Sequence, residues 1–386
     1  MPRQFPITRD TRVRRALRRA AIVLYCVAIF FALDFAASSL APGLLVPMHT
    51  TPGGKVVRQP DPLFHHTLAP RFDGVDRWGE LPYRLFTNSL GFKDATTREI
   101  TAKSEARRIL LIGDSFTEGI GLEFQDTFAG MLYRAGQERA DKVDFLNAGV
   151  VSYSPTLYYR KVKHLIESGL QFDEVVVLPD LSDVQDEALF YFCFDDIAEY
   201  RGHCMSPARE DVWFSNSIPD YWQTHFVLTD RLRVILKRQF QRLSNNQREY
   251  ALTLNSRTGW IVPGFFVGRD YVPLGIDGGI ERALRHMQAL ADLLASRHIP
   301  LTVAVYPWPV ELERNIRDSR NVRLWREFCE KAKCKAFIEL YRDVFAAKDA
   351  HTDWYRRYFM YGDVHYSAEG NRVLFQALQK SLLPAP

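Results

Sequence analysis

The stretch Arg108-Ile109-Leu110-Leu111-Ile112-Gly113-Asp114-Ser115-Phe116-Thr117-Glu118-Gly119 decides the fold. Four consecutive aliphatic residues without alternation are the pattern of a strand covered on both faces, as parallel strands are. The run stops at Gly113-Asp114-Ser115, which puts Ser115 at a strand's carboxyl end, where open parallel sheets place their ligands. A serine there becomes a nucleophile if an imidazole takes its proton and neighbouring N–H groups stabilise an oxyanion. By itself the tripeptide is weak, since chance supplies one in about a tenth of chains this long.

The far end of the chain supplies the partners: Gly362-Asp363-Val364-His365-Tyr366-Ser367-Ala368-Glu369-Gly370. In extended backbone, residues two apart point the same way, so Asp363 and His365 can face one pocket, the carboxylate orienting the imidazole toward Ser115. Ser367 is a good N-cap for a last helix over about 368–382, which would hold the Asp363–His365 loop.

Outward from Ser115 the pattern alternates strand 108–113, helix 126–137, strand 143–148, helix 156–168 and strand 174–180. After a break come helix 279–296, strand 301–306, helix 320–333 and strand 335–340. Such alternation predicts an α/β protein, a three-layer αβα sandwich around a parallel, flavodoxin-like sheet. The expected organisation is a basic tail over 1–19, an anchor over 20–46, a juxtamembrane and entry segment over 47–100, and a domain over 101–386 with a helical or irregular insertion at about 188–275. The insertion is crowded with aromatics from Phe190 to Phe226 and followed by Arg231, Arg233, Lys237, Arg238 and Arg242. Packing is the expected role of the aromatics and a solvated face that of the basic run. Residues 42–75, rich in Pro and Gly, read as an irregular connection, and adjacent His65-His66 as structural rather than metal-binding.

Gly-Asp-Ser early and Asp-x-His before the last helix resemble the GDSL-like, or SGNH, hydrolase superfamily. The tight Asp-x-His followed by an aromatic residue is similar to the periplasmic alginate-type O-acetylation proteins, and Asn88-Ser89-Leu90-Gly91-Phe92 is similar to the entry segment of membrane-anchored members. The resemblance covers roughly residues 83–386. It implies acyl-ester chemistry with Ser115 as nucleophile, His365 as proton shuttle and Asp363 as its orienter. It further implies an oxyanion hole from the N–H groups of Ser115 and Gly149, and no cofactor. Gly149 also reads as a packing glycine. Where the family has an oxyanion asparagine, this chain has Ser182, which either substitutes or leaves the site short of a donor.

The formal charge of +4 is concentrated at the start: seven arginines against Asp10 over residues 1–19 leave the remainder at −2. The body therefore lacks the basic excess of nucleic-acid binders. The arginines precede an apolar run from Ala20 to about Val46, interrupted by Asp34, which is long enough to span a bilayer with the arginines cytoplasmic and the body outside. A cleaved signal peptide ending at Ser39-Leu40-Ala41 is the alternative, and it too exports the body. Cys193, Cys204, Cys329 and Cys334 are an even set for an oxidising compartment, with local pairing the simplest connectivity and free thiols the alternative.

The function these readings imply is O-acetylesterase or O-acetyltransferase chemistry on a polysaccharide. The implied partners are an acylated glycan or glycan acceptor and an acyl-donor membrane protein. The alternative is a degenerate domain that binds glycan or scaffolds an envelope complex.

Overall fold

The computed structural model describes residues 9–40, 57–78, 81–191, 225–229, 232–233, 236, 251–265 and 270–384. Contacts divide the chain into two units: residues 1–53 with 211–243, and residues 54–210 with 244–386.

The larger unit is built on strand β6 (Arg107–Gly113), the aliphatic run that opened the sequence. It pairs in parallel with β7 (Val143–Asn147) on one side and β8 (Glu174–Leu178) on the other. Beyond β8 lie parallel β9 (Leu301–Val305) and β10 (Ala336–Glu339). Every residue of β7, β8 and β9 is buried, because helices cover both faces. Helices α4 (Pro155–Glu167), α5 (Asp183–Leu189) and α7 (Gly275–Ser296) pack on one another, and α3 (Phe128–Gln137) packs on α12 (Ala368–Leu382). The strands and helices predicted over 108–180 and 279–382 are present with boundaries within one to four residues.

The sheet is mixed rather than wholly parallel. β3 (Asp73–Trp78), β4 (Leu81–Thr87) and β5 (Lys93–Asp94) extend it antiparallel beyond β7, joined by the pair Lys93 and Asn147. A hairpin of β1 (Arg58–Asp61) and β2 (His65–Leu68) precedes them. Residues 58–75 are thus largely strand, not an irregular connection, while 42–56 of that reading lie outside the described residues; Pro60 and Gly74 sit on short edge strands, where missing ladder bonds are tolerated, and Pro62 and Pro70 between strands. The turn Asn88–Phe92 joins β4 to β5. Asn88 Oδ1 accepts from the N–H groups of Leu90 (3.0 Å) and Phe92 (3.2 Å), and Gly91 adopts φ +75°. A Cβ on Gly91 would lie 2.4 Å from the Leu68 carbonyl oxygen, so the turn needs glycine for both conformation and space.

In the smaller unit, α1 (Arg9–Leu40) contains one stretch, Val13–Leu40, long and apolar enough to cross a membrane. Asp34 within it accepts from Ser38 Oγ (3.1 Å) and from the N–H groups of Leu228 (2.9 Å) and Thr229 (2.6 Å), all in the same unit. Leu228 and Thr229, within the predicted insertion, therefore satisfy the carboxylate of Asp34, while residues 192–224 and most of 230–250 of that prediction lie outside the described residues. Cys329 and Cys334 form a disulfide; Cys193 and Cys204 lie outside the described residues.

Candidate active site

Ser115 opens a one-turn helix, α2 (Ser115–Glu118), so tight a turn that the sequence pattern had put only a loop there. Asp114 caps it, accepting from Phe116 N at 2.9 Å, and Gly119 ends it with φ +73°. Gly113 is required by closeness: a Cβ there would lie 2.1 Å from Thr117 Oγ1. Two further ties fix the turn from outside. Asn147, at the end of β7, donates to the Thr117 carbonyl at 2.8 Å. Glu118, fully buried, takes Arg58 at 2.6 and 2.9 Å and the Val151 N–H at 2.8 Å. Arg58 lies on β1, so the entry hairpin clamps the helix that carries the serine.

His365 arrives from a loop between α11 (Trp354–Tyr358) and α12. Gly362 turns the chain with φ +82°, and Tyr355 OH accepts from Gly362 N and donates to the Asp363 carbonyl, each at 3.0 Å. Ser367 caps α12, accepting from Gly370 N at 3.2 Å, as its sequence position foretold. Asn371 Oδ1 then accepts from Phe128 N at 3.0 Å, tying α12 to α3.

These supports bring residues 250 positions apart into hydrogen-bonding contact. Ser115 Oγ is 2.8 Å from His365 Nε2, and His365 Nδ1 is 2.6 Å from Asp363 Oδ1. Asp363 also accepts from the backbone N–H groups of Val364 (2.6 Å) and His365 (3.1 Å), and its second oxygen accepts from Trp78 Nε1 at 2.6 Å. Although its burial works the other way, the charge of His365 and these donors hold the Asp363 carboxyl down to about 2. Trp78, on β3, meets the imidazole edge to face at 5.1 Å, and Phe116 covers it at 4.5 Å. Sequence reasoning missed Trp78, Arg58 and Asn147. The first two lie in the stretch expected as juxtamembrane and entry segment, 47–100, and nothing in spacing links them to Ser115.

Below the serine lies a group of acids. Asp114 Oδ2 is 3.1 Å from Ser115 Oγ, and Tyr306 OH bridges Asp114 (3.3 Å) to Asp180 (3.2 Å). Burial, then the nearby Asp180 charge, pushes the Asp114 carboxyl well above its usual range. Ser115 Oγ therefore stands between Asp114 Oδ2 and His365 Nε2, in hydrogen-bond reach of both.

The predicted oxyanion donors divide. Among the described residues, Ser115 N–H has no protein acceptor and sits at the start of α2. Gly149 N–H donates to Asn147 Oδ1 at 3.1 Å, and a Cβ at Gly149 would lie 2.7 Å from Glu118 N, so packing alone demands glycine there. Ser182 is turned away from any such role: its hydroxyl donates to Asp180 Oδ1 at 2.6 Å and its N–H to the same oxygen at 2.8 Å. Trp308 Nε1 completes Asp180 at 2.6 Å. His65 and His66 are buried, with Nδ1 atoms 2.8 Å apart and His66 Nε2 2.6 Å from the Val151 carbonyl; desolvation takes them down to about 4 and about 3.

Fold and site have the form that a resemblance to the SGNH/GDSL-like hydrolases implies: a serine after the central strand, and an Asp-x-His pair on the last loop. No family model and no curated protein matches the chain. Among solved structures it is similar to a member of the lipolytic protein G-D-S-L family from Veillonella parvula DSM 2008 (12% identity, 72% of this chain and 100% of that one, TM-score 0.39). It is also similar to a catalytic mutant of Axe2, an acetylxylan esterase from Geobacillus stearothermophilus (9% identity, 74% and 98%, TM-score 0.41), and to TesA (9% identity, 72% and 99%, TM-score 0.40).

Proposed function

We propose that the protein carries out acyl-ester chemistry through Ser115, removing or transferring a short acyl group, acetyl foremost, on a polysaccharide outside the cytoplasm. The observation that carries this reading is the continuous line from Ser115 Oγ through His365 Nε2 and Nδ1 to Asp363, at 2.8 and 2.6 Å. Ser115 attacks the ester carbonyl as its proton passes to His365, and Asp363 stabilises the imidazolium. The tetrahedral oxyanion takes the Ser115 N–H, with Gly149 N–H shared from Asn147. His365 returns the proton to the leaving alcohol, and water or a sugar hydroxyl then frees the enzyme. With Ser182 committed to Asp180, the oxyanion has one donor fewer than the resemblance implies, a loss of about 2.7–4 kcal/mol in transition-state binding.

The recess lined by Ser115, Phe116, Ile120, His365 and Tyr366 offers about 10 Å³, about one water's worth of space. That supports a two-carbon acyl group over the long chains of a lipase or thioesterase. The apolar helix α1 and the arginines before it support a membrane-anchored protein with its body on the extracytoplasmic side, where a membrane acyl donor and a glycan acceptor would meet it.

The commitment of Ser182 and of Gly149 N–H favours one second reading, a glycan-binding or scaffolding domain without turnover. Full-length protein in detergent, given a chromogenic acetyl ester, separates the two. Wild type should form an acetyl-Ser115 adduct visible by mass spectrometry and turn the ester over, with Ser115→Ala slower by roughly 10³-fold or more. Absence of both adduct and turnover in the wild type would leave the binding reading.

A further inference from the structure

A second cavity, of about 370 Å³, lies between the entry hairpin, the Asn88–Phe92 turn and α4, and shares no lining residue with the recess at Ser115. It falls within the usual range of small-molecule sites. Its walls include Leu68, Leu90, Ile100, Leu165 and Leu170, and at its floor lies Lys161, 4% exposed.

We propose that this cavity binds a small organic carboxylate, its head on the Lys161 ammonium and its apolar body along the Leu165–Leu170 wall.

The molecule contains its own control for a buried lysine that needs no ligand. Lys93, 1% exposed, donates to the Gly119 and Leu122 carbonyls, each at 2.6 Å, and lies 4.7 Å over the Tyr83 ring. Its ammonium is closed into backbone oxygens and lines neither this cavity nor the recess at Ser115. Lys161 makes one hydrogen bond, to Thr67 Oγ1 at 3.2 Å, and otherwise lies over the Phe64 ring at 4.3 Å and the Phe92 ring at 5.6 Å. Two of its N–H donors thus remain for something in the cavity, since burying them unmet is costly. Desolvation lowers both amines to about 8, which leaves each mostly charged at neutral pH. Among the other groups lining the cavity, Asp61 carries the one opposing charge. Asp61 raises the Lys161 amine from a distance, but its Oδ1 is held by the N–H groups of Leu63 (2.7 Å) and Phe64 (2.9 Å), and among the described residues Lys161 forms no ion pair. Ser89 Oγ accepts from Ile100 N at 2.9 Å, which leaves its hydroxyl hydrogen to donate, and His164 and Ser168 stand at the rim. An apolar floor with one cation fits a carboxylate on a hydrocarbon body better than a free inorganic anion, which would desolvate several oxygens against leucine.

Calorimetric titration of the full-length protein in detergent tests this with hexanoate, hexanol and inorganic phosphate as probes. The expected result is saturable hexanoate binding, at least tenfold weaker hexanol and phosphate binding, and a tenfold or greater loss with Lys161→Met. Ala102→Trp, a bulky change at an exposed lining residue, should weaken hexanoate binding at least tenfold and keeps the test alive if Lys161→Met does not fold. Hexanoate that fails to bind, binds both variants as it binds wild type, or is matched by hexanol or phosphate would overturn the proposal.

Discussion

Asp363 and Asp114 both stand one hydrogen bond from the reacting pair, one beneath His365 and the other beneath Ser115, yet their surroundings drive them in opposite directions. Asp363 collects an imidazole, an indole N–H and two backbone N–H groups, and its carboxyl is held at about 2. Asp114 is buried beside Asp180, with Asp183 and Asp186 close behind, and its carboxyl is pushed well up. Identical side chains are therefore pushed toward the anion on one side of the serine and toward the neutral acid on the other. The difference lies in the donors: those around Asp363 outweigh its burial, whereas desolvation and like charge dominate around Asp114.

The largest effect should come from removing the anion. Asp363→Asn keeps the shape but offers His365 Nδ1 an amide, which can present N–H where an acceptor is needed and select the wrong tautomer. We expect turnover of the acetyl ester to fall by about 10⁴-fold with KM little changed. If steady-state kinetics showed a fall of less than tenfold, Asp363 would be a structural carboxylate like its neighbours, and the contrast would lose its functional meaning.

The acid group beneath Ser115 offers a second way to break the comparison, this time through stability. The Asp186 carboxyl, raised to about 7 chiefly by burial, has both oxygens buried and without a hydrogen bond among the described residues. Its ordinary value is 3.8, so between pH 4 and 7 the folded state keeps a proton that the unfolded state has released. Stability from this group is full below pH 4 and is lost as pH rises through 7, by up to about 4 kcal/mol for a shift of about three pH units. Asp186→Asn cannot ionise, so the fall in melting temperature between pH 5 and pH 8 should be shallower than in wild type. An unchanged slope would mean that Asp186 is not held neutral and that the two sides of the serine differ less than argued.

The parallel half of the sheet and the Ser115–His365–Asp363 line were legible in the sequence for a physical reason. A strand covered on both faces must be continuously apolar, and a serine at its end and an Asp-x-His before a capped helix leave local marks. Ser367 and Gly113 are such marks, each demanded by its own turn. The antiparallel edge was not legible, because β1 to β5 run over two to seven residues with polar, proline-containing sequences, and their pairing is set by contacts far along the chain. Arg58 illustrates this: its meaning lies in Glu118, sixty positions on. Ser182 shows the converse limit. Its place after a strand is written in the sequence, but the direction of its hydroxyl depends on Asp180, which in turn is held by Tyr306 and Trp308 from β9's far end.

Trp78 belongs to that unread edge and gives the finest test of the contrast, because among the described residues it is the indole that donates to Asp363, as Trp308 is the one that donates to Asp180. Trp78→Phe keeps the edge-to-face ring against His365 and removes only the N–H. A hydrogen bond to a charged group contributes about 1.5–3 kcal/mol, and only part of that bears on the reaction, so about a tenfold fall in kcat is expected. The stability cost carries its own sign. Because the Asp363 carboxyl is depressed in the fold, it contributes stability above pH 4 that disappears as pH falls through about 2. The variant should therefore melt below wild type at pH 7, and the gap should close as the pH falls through about 2, below which Asp363 is protonated in both. A gap that persisted unchanged at low pH would assign Trp78 to packing, and the low value of Asp363 to His365 and the backbone alone.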